Sequence, residues 1–200
     1  MSKACIQTIS GVEFDILEPT LEMISIEDIA HAGSQANRFT GHCRFPYPVT
    51  QHEYLGSKLA PPTYCTCGSP RLHALKFLLH DASESYMSDM NRPLKHFTKA
   101  GEEYQKIEEP LQNLIYERYG VPRGKPICIE TIDVEMLYAE KQRLFNYSPE
   151  WKHSWSDSMK AAEVLIYERS FYHNKFTYLS RFNELCRPED RVEISFRINL

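Results

Sequence analysis

The sequence predicts an all-α helical bundle with a small β decoration at the termini, and three observations carry that prediction. Helix-start signals recur through the middle of the chain, apolar residues return there at helical spacing, and period-two alternation is confined to the two ends. Residues 6–17 (IQTISGVEFDIL) alternate around a glycine and read as a short hairpin; residues 192–198 (VEISFRI) alternate again and are expected to pair with it. Ser25-Ile-Glu-Asp28 sets an acid three residues after a serine, the arrangement of a capping box, and opens a helix expected to run to about Gln35. Thr50-Gln-His-Glu53 repeats the signature after Pro46-Tyr-Pro48, so His52 falls in the first turn of a helix ending near Ala60. Pro61 and Pro62 then break the chain. Ser69-Pro70, a cap followed by proline at the first helical position, opens the strongest helix, expected to reach about Met87. After a loop holding Asn91 and Pro93, a helix spans about Gly101 to Tyr119, with Pro110 expected to kink or split it. Amphipathic runs follow at 127–145, 156–171 and 174–186. No repeat or linker composition divides the 200 residues, so a single domain is expected, with its core at about 25–146 and C-terminal helices over 156–186.

Composition narrows the partners. Asp and Glu number 27 against 23 Lys and Arg, a formal net charge of −4, so bulk charge does not draw the chain to nucleic acid or an anionic membrane. A content of 42% hydrophobic and 12% aromatic residues is too high for a disordered chain. The longest apolar stretches are short, as in Ala74-Leu-Lys-Phe-Leu-Leu79, and the first residues lack a signal-peptide core, so no membrane partner and a cytoplasmic location are expected. Six cysteines are scattered. Their one close pair, Cys65-Thr-Cys67, fits neither a redox motif nor a paired zinc knuckle and reads as two reduced thiols in a loop.

One stretch carries chemistry. In Leu78-Leu-His-Asp-Ala-Ser-Glu84 two apolar residues run into adjacent His80 and Asp81, and on a continuous helix Glu84 would join them on one patch. Imidazole and carboxylate together suit a borderline divalent metal, and a further carboxylate can orient or deprotonate water. A structural His–Asp hydrogen bond explains the dipeptide equally well. His73 reads as a supporting or surface histidine; His31, His153 and His173 lack acid partners at ligand spacing, and Trp151 and Trp155 are expected to pack.

Three blocks extend the pattern. Arg38-Phe-Thr-Gly-His42 precedes Tyr47-Pro-Val-Thr-Gln-His52; His80-Asp81-Ala-Ser-Glu84 precedes Ser88-Asp89 and Arg92-Pro-Leu-Lys95; and Tyr104 with Glu108 precedes Asp133 in Ile132-Asp-Val-Glu-Met-Leu. In this order, over nearly the whole chain, they resemble the HD-domain metal-dependent phosphohydrolase family, in the style of bacterial 5′-deoxynucleotidases and phage dATP triphosphohydrolases. The resemblance implies an all-α HD-domain core and one divalent metal ion (Co, Mn, Zn or Mg) held by His52, His80, Asp81 and Asp133. It assigns Glu84 to activating or orienting the attacking water and Asp89 to supporting it or handing a proton to the leaving group. Arg38 and Lys95 are the expected phosphate contacts, since guanidinium and ammonium groups suit an oligophosphate. Phe39 would stack on a base or sugar, or pack in the core. The expected activity is hydrolysis of a small deoxynucleotide, first a dATP triphosphohydrolase releasing deoxynucleoside and triphosphate. A 5′-deoxynucleotidase acting on dNMPs, an enzyme for a signalling nucleotide, and a non-catalytic nucleotide-binding protein are the alternatives. The family likeness also implies a homo-oligomer, dimer or larger, in the cytoplasm of a cell or of a phage host.

Overall fold

Gly11, with φ of 88°, turns the chain between Thr8 and Val12. The residues either side pair as the expected hairpin, β1 (Cys5–Gln7) antiparallel to β2 (Glu13–Asp15), with Ile6 opposite Phe14. The hairpin's contribution to the core is one ring: Phe14 is fully buried and stacks on Tyr86 at 4.0 Å. The computed structural model describes residues 4–146 and 160–194. Within them, the expected C-terminal strand is absent over 192–194, and its remainder, like Trp151, His153 and Trp155, lies outside the described residues.

Eight α-helices follow among the described residues. α1 (Ile26–Gly33) starts where expected, because the Ser25 hydroxyl accepts from the Glu27 and Asp28 N–H groups. Asp28 is turned back instead to the hairpin, accepting from Ser10 N–H and Oγ–H at 2.9 and 2.7 Å. α2 (Val49–Gly56) puts His52 in its first turn, but the capping box is not formed. Pro48 holds the cap position, Thr50 bonds Ser34 at 2.9 Å, and Glu53 reaches across to the backbone of Asp81. Both side chains that would cap the helix are recruited by tertiary partners. α2 also ends early, at Gly56, where a Cβ would run into the Phe77 ring; glycine lets the helix sit directly on that ring.

α3 (Pro70–Leu78) carries the expected serine cap and first-position proline. Every residue from His73 to Leu78 is buried, the pattern of a helix surrounded by protein. Leu75 and Leu78 feed one apolar cluster with Phe14, Ile29, Leu111, Ile115 and Phe182; Phe77 feeds a second with Tyr47, Cys128, Ile132 and Met136. α3 therefore lies between two half-cores. The expected continuous helix to Met87 does not form: a turn spans 79–83 before α4 (Glu84–Met87). The cause is a competition for backbone groups. In a continuing helix the Phe77 carbonyl would accept from Asp81 N–H. Here the His80 ring takes that carbonyl at 2.7 Å, and Asp81 N–H donates to Glu53 Oε1 at 3.2 Å.

α5 (Arg92–Phe97), capped by Asn91, occupies what the sequence reads as a loop. It packs on α6 (Lys99–Arg118), where Gly101 lets the backbones close, since a Cβ there would collide with the Lys95 carbonyl. α6 continues through Pro110 as one helix. α7 (Ile127–Leu144) and α8 (Phe171–Leu185) match the first and last of the three amphipathic runs, and α8 packs across α1, α2 and α3. The middle run, expected helical over 156–171, forms no helix or strand over 160–170, and its residues 156–159 lie outside the described residues. Its backbone bonds outward: Ala162 N–H donates to Glu135 O, Gln51 donates to Tyr167 O, and Arg143 donates to Ile166 O, while Ala162 and Ile166 cover the second half-core. No helix among the described residues is long and apolar enough to cross a membrane.

Candidate metal centre

The break after α3 has a chemical consequence. His80 is left on the turn with its Nδ1–H donating to Phe77 O, which places the lone pair on Nε2. His52, on α2, is held the same way by a different acceptor: its Nδ1 lies 2.5 Å from Glu140 Oε1 of α7, and a carboxylate only accepts. The two free nitrogens face one another at 3.3 Å. Two lone pairs meeting in a buried site repel unless a cation or a proton lies between them. Ligands at about 2.1 Å from a metal stand about 3.0–3.4 Å apart, so the spacing suits a shared cation.

Two carboxylates complete the group. Asp81 Oδ2 lies 3.2 Å from His80 Nε2 and 4.0 Å from His52 Nε2; Asp133 Oδ1, from α7, lies 3.3 Å from His52 Nε2 and 3.7 Å from His80 Nε2. All four residues named from the sequence are thus brought together, and His52, His80 and Asp81 form a group able to hold a metal ion. Both imidazoles are fully buried, whereas the side chains of Asp81 and Asp133 keep 18% and 26% exposure, which leaves the cluster open on the carboxylate side. Burial opposes ionisation of Asp81, yet the His80 ring, the Lys125 ammonium and the Arg38 guanidinium hold its carboxyl down to about 2. Partial burial opposes ionisation of Asp133 too, yet Lys125, 2.7 Å away, and the two rings hold its carboxyl well below the usual carboxylate range.

Around the four stand groups of mixed fate. Arg38 reaches Asp81 at 3.1 Å and Glu140 at 3.4 Å, and its Nε–H has no partner among the described residues. Phe39 packs edge-on against Phe145 at 5.0 Å beside the Arg38 guanidinium. Glu84 opens α4, buried, with Oε2 unpartnered among the described residues; burial, with Asp81 and Asp89 nearby, pushes its carboxyl well above the usual range. Asp89 is raised as well, chiefly by burial. Lys95 is ion-paired to Glu108 at 2.6 Å. Carboxylates outnumber cations here, a surplus that a divalent ion would offset.

Sequence reasoning gave no role at the site to Glu140 or Lys125, nor to Tyr47 and Glu53, which it read only as part of a motif and of a capping box. Glu140 is fully buried and accepts from His52, from Tyr47 OH at 3.0 Å and from Arg38, so it fixes the orientation of a ring that faces the cluster. One signal pointed to it: Glu140 follows Asp133 by seven residues, two turns along the same face of α7. The cysteine pair read as reduced loop thiols does lie in the loop before α3 as free thiols, but it has neighbours that the sequence did not show. Cys65, Cys67, His73 and Cys128 gather into a second group able to hold a metal ion.

The fold and site define a mostly helical protein built around a buried histidine–aspartate cluster that could hold a divalent cation. The chain is 34% identical over 139 residues to the uncharacterized protein YfdR of Escherichia coli (strain K12), spanning 70% of this chain and 71% of that protein. It is 32% identical over 154 residues to an uncharacterized protein of Rhodobacter capsulatus, RCAP_rcc00048, spanning 74% of this chain and 76% of that protein. The chain belongs to the family of these two proteins. No family model matches it.

Proposed function

We propose that the chain is a divalent-metal-dependent phosphohydrolase of the HD type acting on deoxynucleotides, a dATP triphosphohydrolase in the first instance. The observation that carries the reading is the convergence of His52 Nε2, His80 Nε2, Asp81 Oδ2 and Asp133 Oδ1, with both imidazole protons committed elsewhere. Two imidazoles and two carboxylates would leave coordination positions free, as a catalytic site needs. A cation bound there would lower the pKa of water and polarise a phosphoryl oxygen.

The chain's own residues do the rest. Glu84 accepts the proton of the attacking water; burial first, and then the Asp81 and Asp89 charges, raise its carboxyl, and a cation held beside Asp81 would offset part of that rise. Arg38 supplies a guanidinium already fixed at the cluster, whose Nε–H, without a partner among the described residues, would donate to a phosphoryl oxygen. Lys95 exchanges Glu108 for a more distal phosphate, and Asp89 returns a proton to the leaving group. Tyr47 and Glu140 keep His52 aimed.

The test is a turnover assay of purified protein with manganese or cobalt against dNMPs, dNTPs and ribonucleotides, separating phosphate, pyrophosphate and triphosphate. Deoxynucleoside plus triphosphate from dATP is the expected outcome. Phosphate from dNMPs alone would move the assignment to a 5′-deoxynucleotidase, and no turnover of any nucleotide with metal bound would overturn it.

A further inference from the structure

The second cluster is assembled from three separate places. Cys65 and Cys67 sit on the loop before α3, His73 lies in the first turns of α3, and Cys128 is the second residue of α7. Their ligand atoms all lie within 4.8 Å of one another. His73 Nδ1 is 3.3 Å from Cys65 Sγ and 3.6 Å from Cys67 Sγ, and Cys67 Sγ is 3.5 Å from Cys128 Sγ. A tetrahedral zinc ion with Zn–S of about 2.3 Å and Zn–N of about 2.0 Å sets sulfur from nitrogen by about 3.5 Å and sulfur from sulfur by about 3.8 Å. The observed spacings fall close to these values. They are far from a disulfide, whose sulfurs stand about 2.05 Å apart, and a Cys67–Cys128 bond would leave Cys65 and His73 unexplained.

The surroundings suit thiolates. Cys67 N–H points at Cys65 Sγ, at 3.4 Å, the kind of backbone donor that supports a metal-bound sulfur. Lys76, buried one turn beyond His73, is close enough to interact electrostatically with Cys67 and Cys128. Its ammonium would face the single negative charge left by three thiolates around a dication. Cys67, His73 and Cys128 are buried and Cys65 half-buried, so the four protein ligands would close the site.

We propose that Cys65, Cys67, His73 and Cys128 bind a structural zinc ion, distinct from the cation at the histidine–aspartate cluster. Binding releases the three thiol protons to solvent and pins the 65–67 loop to the starts of α3 and α7. Those two helices deliver His80 and Asp81 just past the end of one and Asp133 five residues after Cys128 on the other. The zinc would thus fix the separation of three of the four ligands of the first cluster. The inference stands independently of the hydrolase reading, because its readouts are metal content and absorption.

The experiment is elemental analysis of reduced, purified protein, together with the absorption spectrum after cobalt substitution. Expected are about one tightly held zinc per chain in wild type and in Asp81→Ala, its loss in Cys128→Ser, and sulfur-to-cobalt charge-transfer bands that Cys128→Ser weakens or abolishes. Should Cys128→Ser fail to fold, the wild-type cobalt spectrum decides alone. Reduced, folded wild type that takes up no zinc and gives no sulfur-to-cobalt band overturns the proposal. So does a Cys67–Cys128 disulfide by mass spectrometry in protein whose reduced form takes up no zinc.

Discussion

Two clusters of potential metal ligands flank the same buried helix, and they differ in almost every respect that matters chemically. At the start of α3, three sulfurs and one imidazole close around a point held by regular helix and a short loop. Past its end, two imidazoles and two carboxylates converge where the helix has been broken, with acids and an arginine left around them. Soft donors in a closed set select zinc and hold it for stability, while mixed nitrogen and oxygen donors with an open side suit an exchangeable cation that meets substrate. The comparison teaches that a histidine acquires its role from its company. His73 and His80 lie seven residues apart on one segment and face opposite kinds of chemistry.

Substitutions that separate the clusters should have graded effects. Asp81→Ala removes a ligand of the open site, and since a Lewis-acidic cation supplies several kcal/mol of transition-state stabilisation, kcat/KM should fall by about 10³-fold or more. Manganese should be lost while zinc at the sulfur cluster remains; retention of both activity and manganese would erase the distinction drawn between the two. Glu84→Gln should keep the cation and lower kcat by about 10²-fold, the scale of a lost general base, in steady-state kinetics with metal content measured alongside. Unchanged kcat would show the carboxyl to be structural. Glu140→Gln keeps an acceptor for His52 but removes the charge, so manganese affinity measured calorimetrically should weaken by about 10- to 100-fold, with zinc unaffected. The smallest effect is expected on the closed side. Ser69→Ala deletes the cap of α3 and should cost about 1 kcal/mol in denaturant unfolding, without change in turnover. A drop in kcat there would mean that the two ends of α3 are less separate than their donors suggest.

What the sequence made legible was local. Ser25 and Ser69-Pro70 cap helices by bonding their own next few N–H groups, and α7 and α8 follow from apolar spacing alone. What it obscured depended on distant partners. The break after Leu78 needs Glu53, 28 residues before Asp81, to take the Asp81 N–H, and residues 160–170 form no helix, their backbone bonded instead by α2 and α7. The four candidate ligands of the open site were named through ordered motifs, not through helical convergence; the continuous helix that would have gathered His80, Asp81 and Glu84 is not formed. Glu140 carried a seven-residue echo of Asp133, whereas Cys128 lies 61 residues from Cys67 and no local spacing joins them.

The most direct test of the catalytic-cation assignment is anomalous diffraction from crystals of the protein grown with manganese, recorded at the manganese and zinc absorption edges. A manganese peak bonded to His52 Nε2, His80 Nε2, Asp81 and Asp133 is the predicted result, with a separate zinc peak among Cys65, Cys67, His73 and Cys128. Manganese absent from the histidine–aspartate cluster at saturating concentration would contradict the assignment of that cluster as the catalytic metal centre.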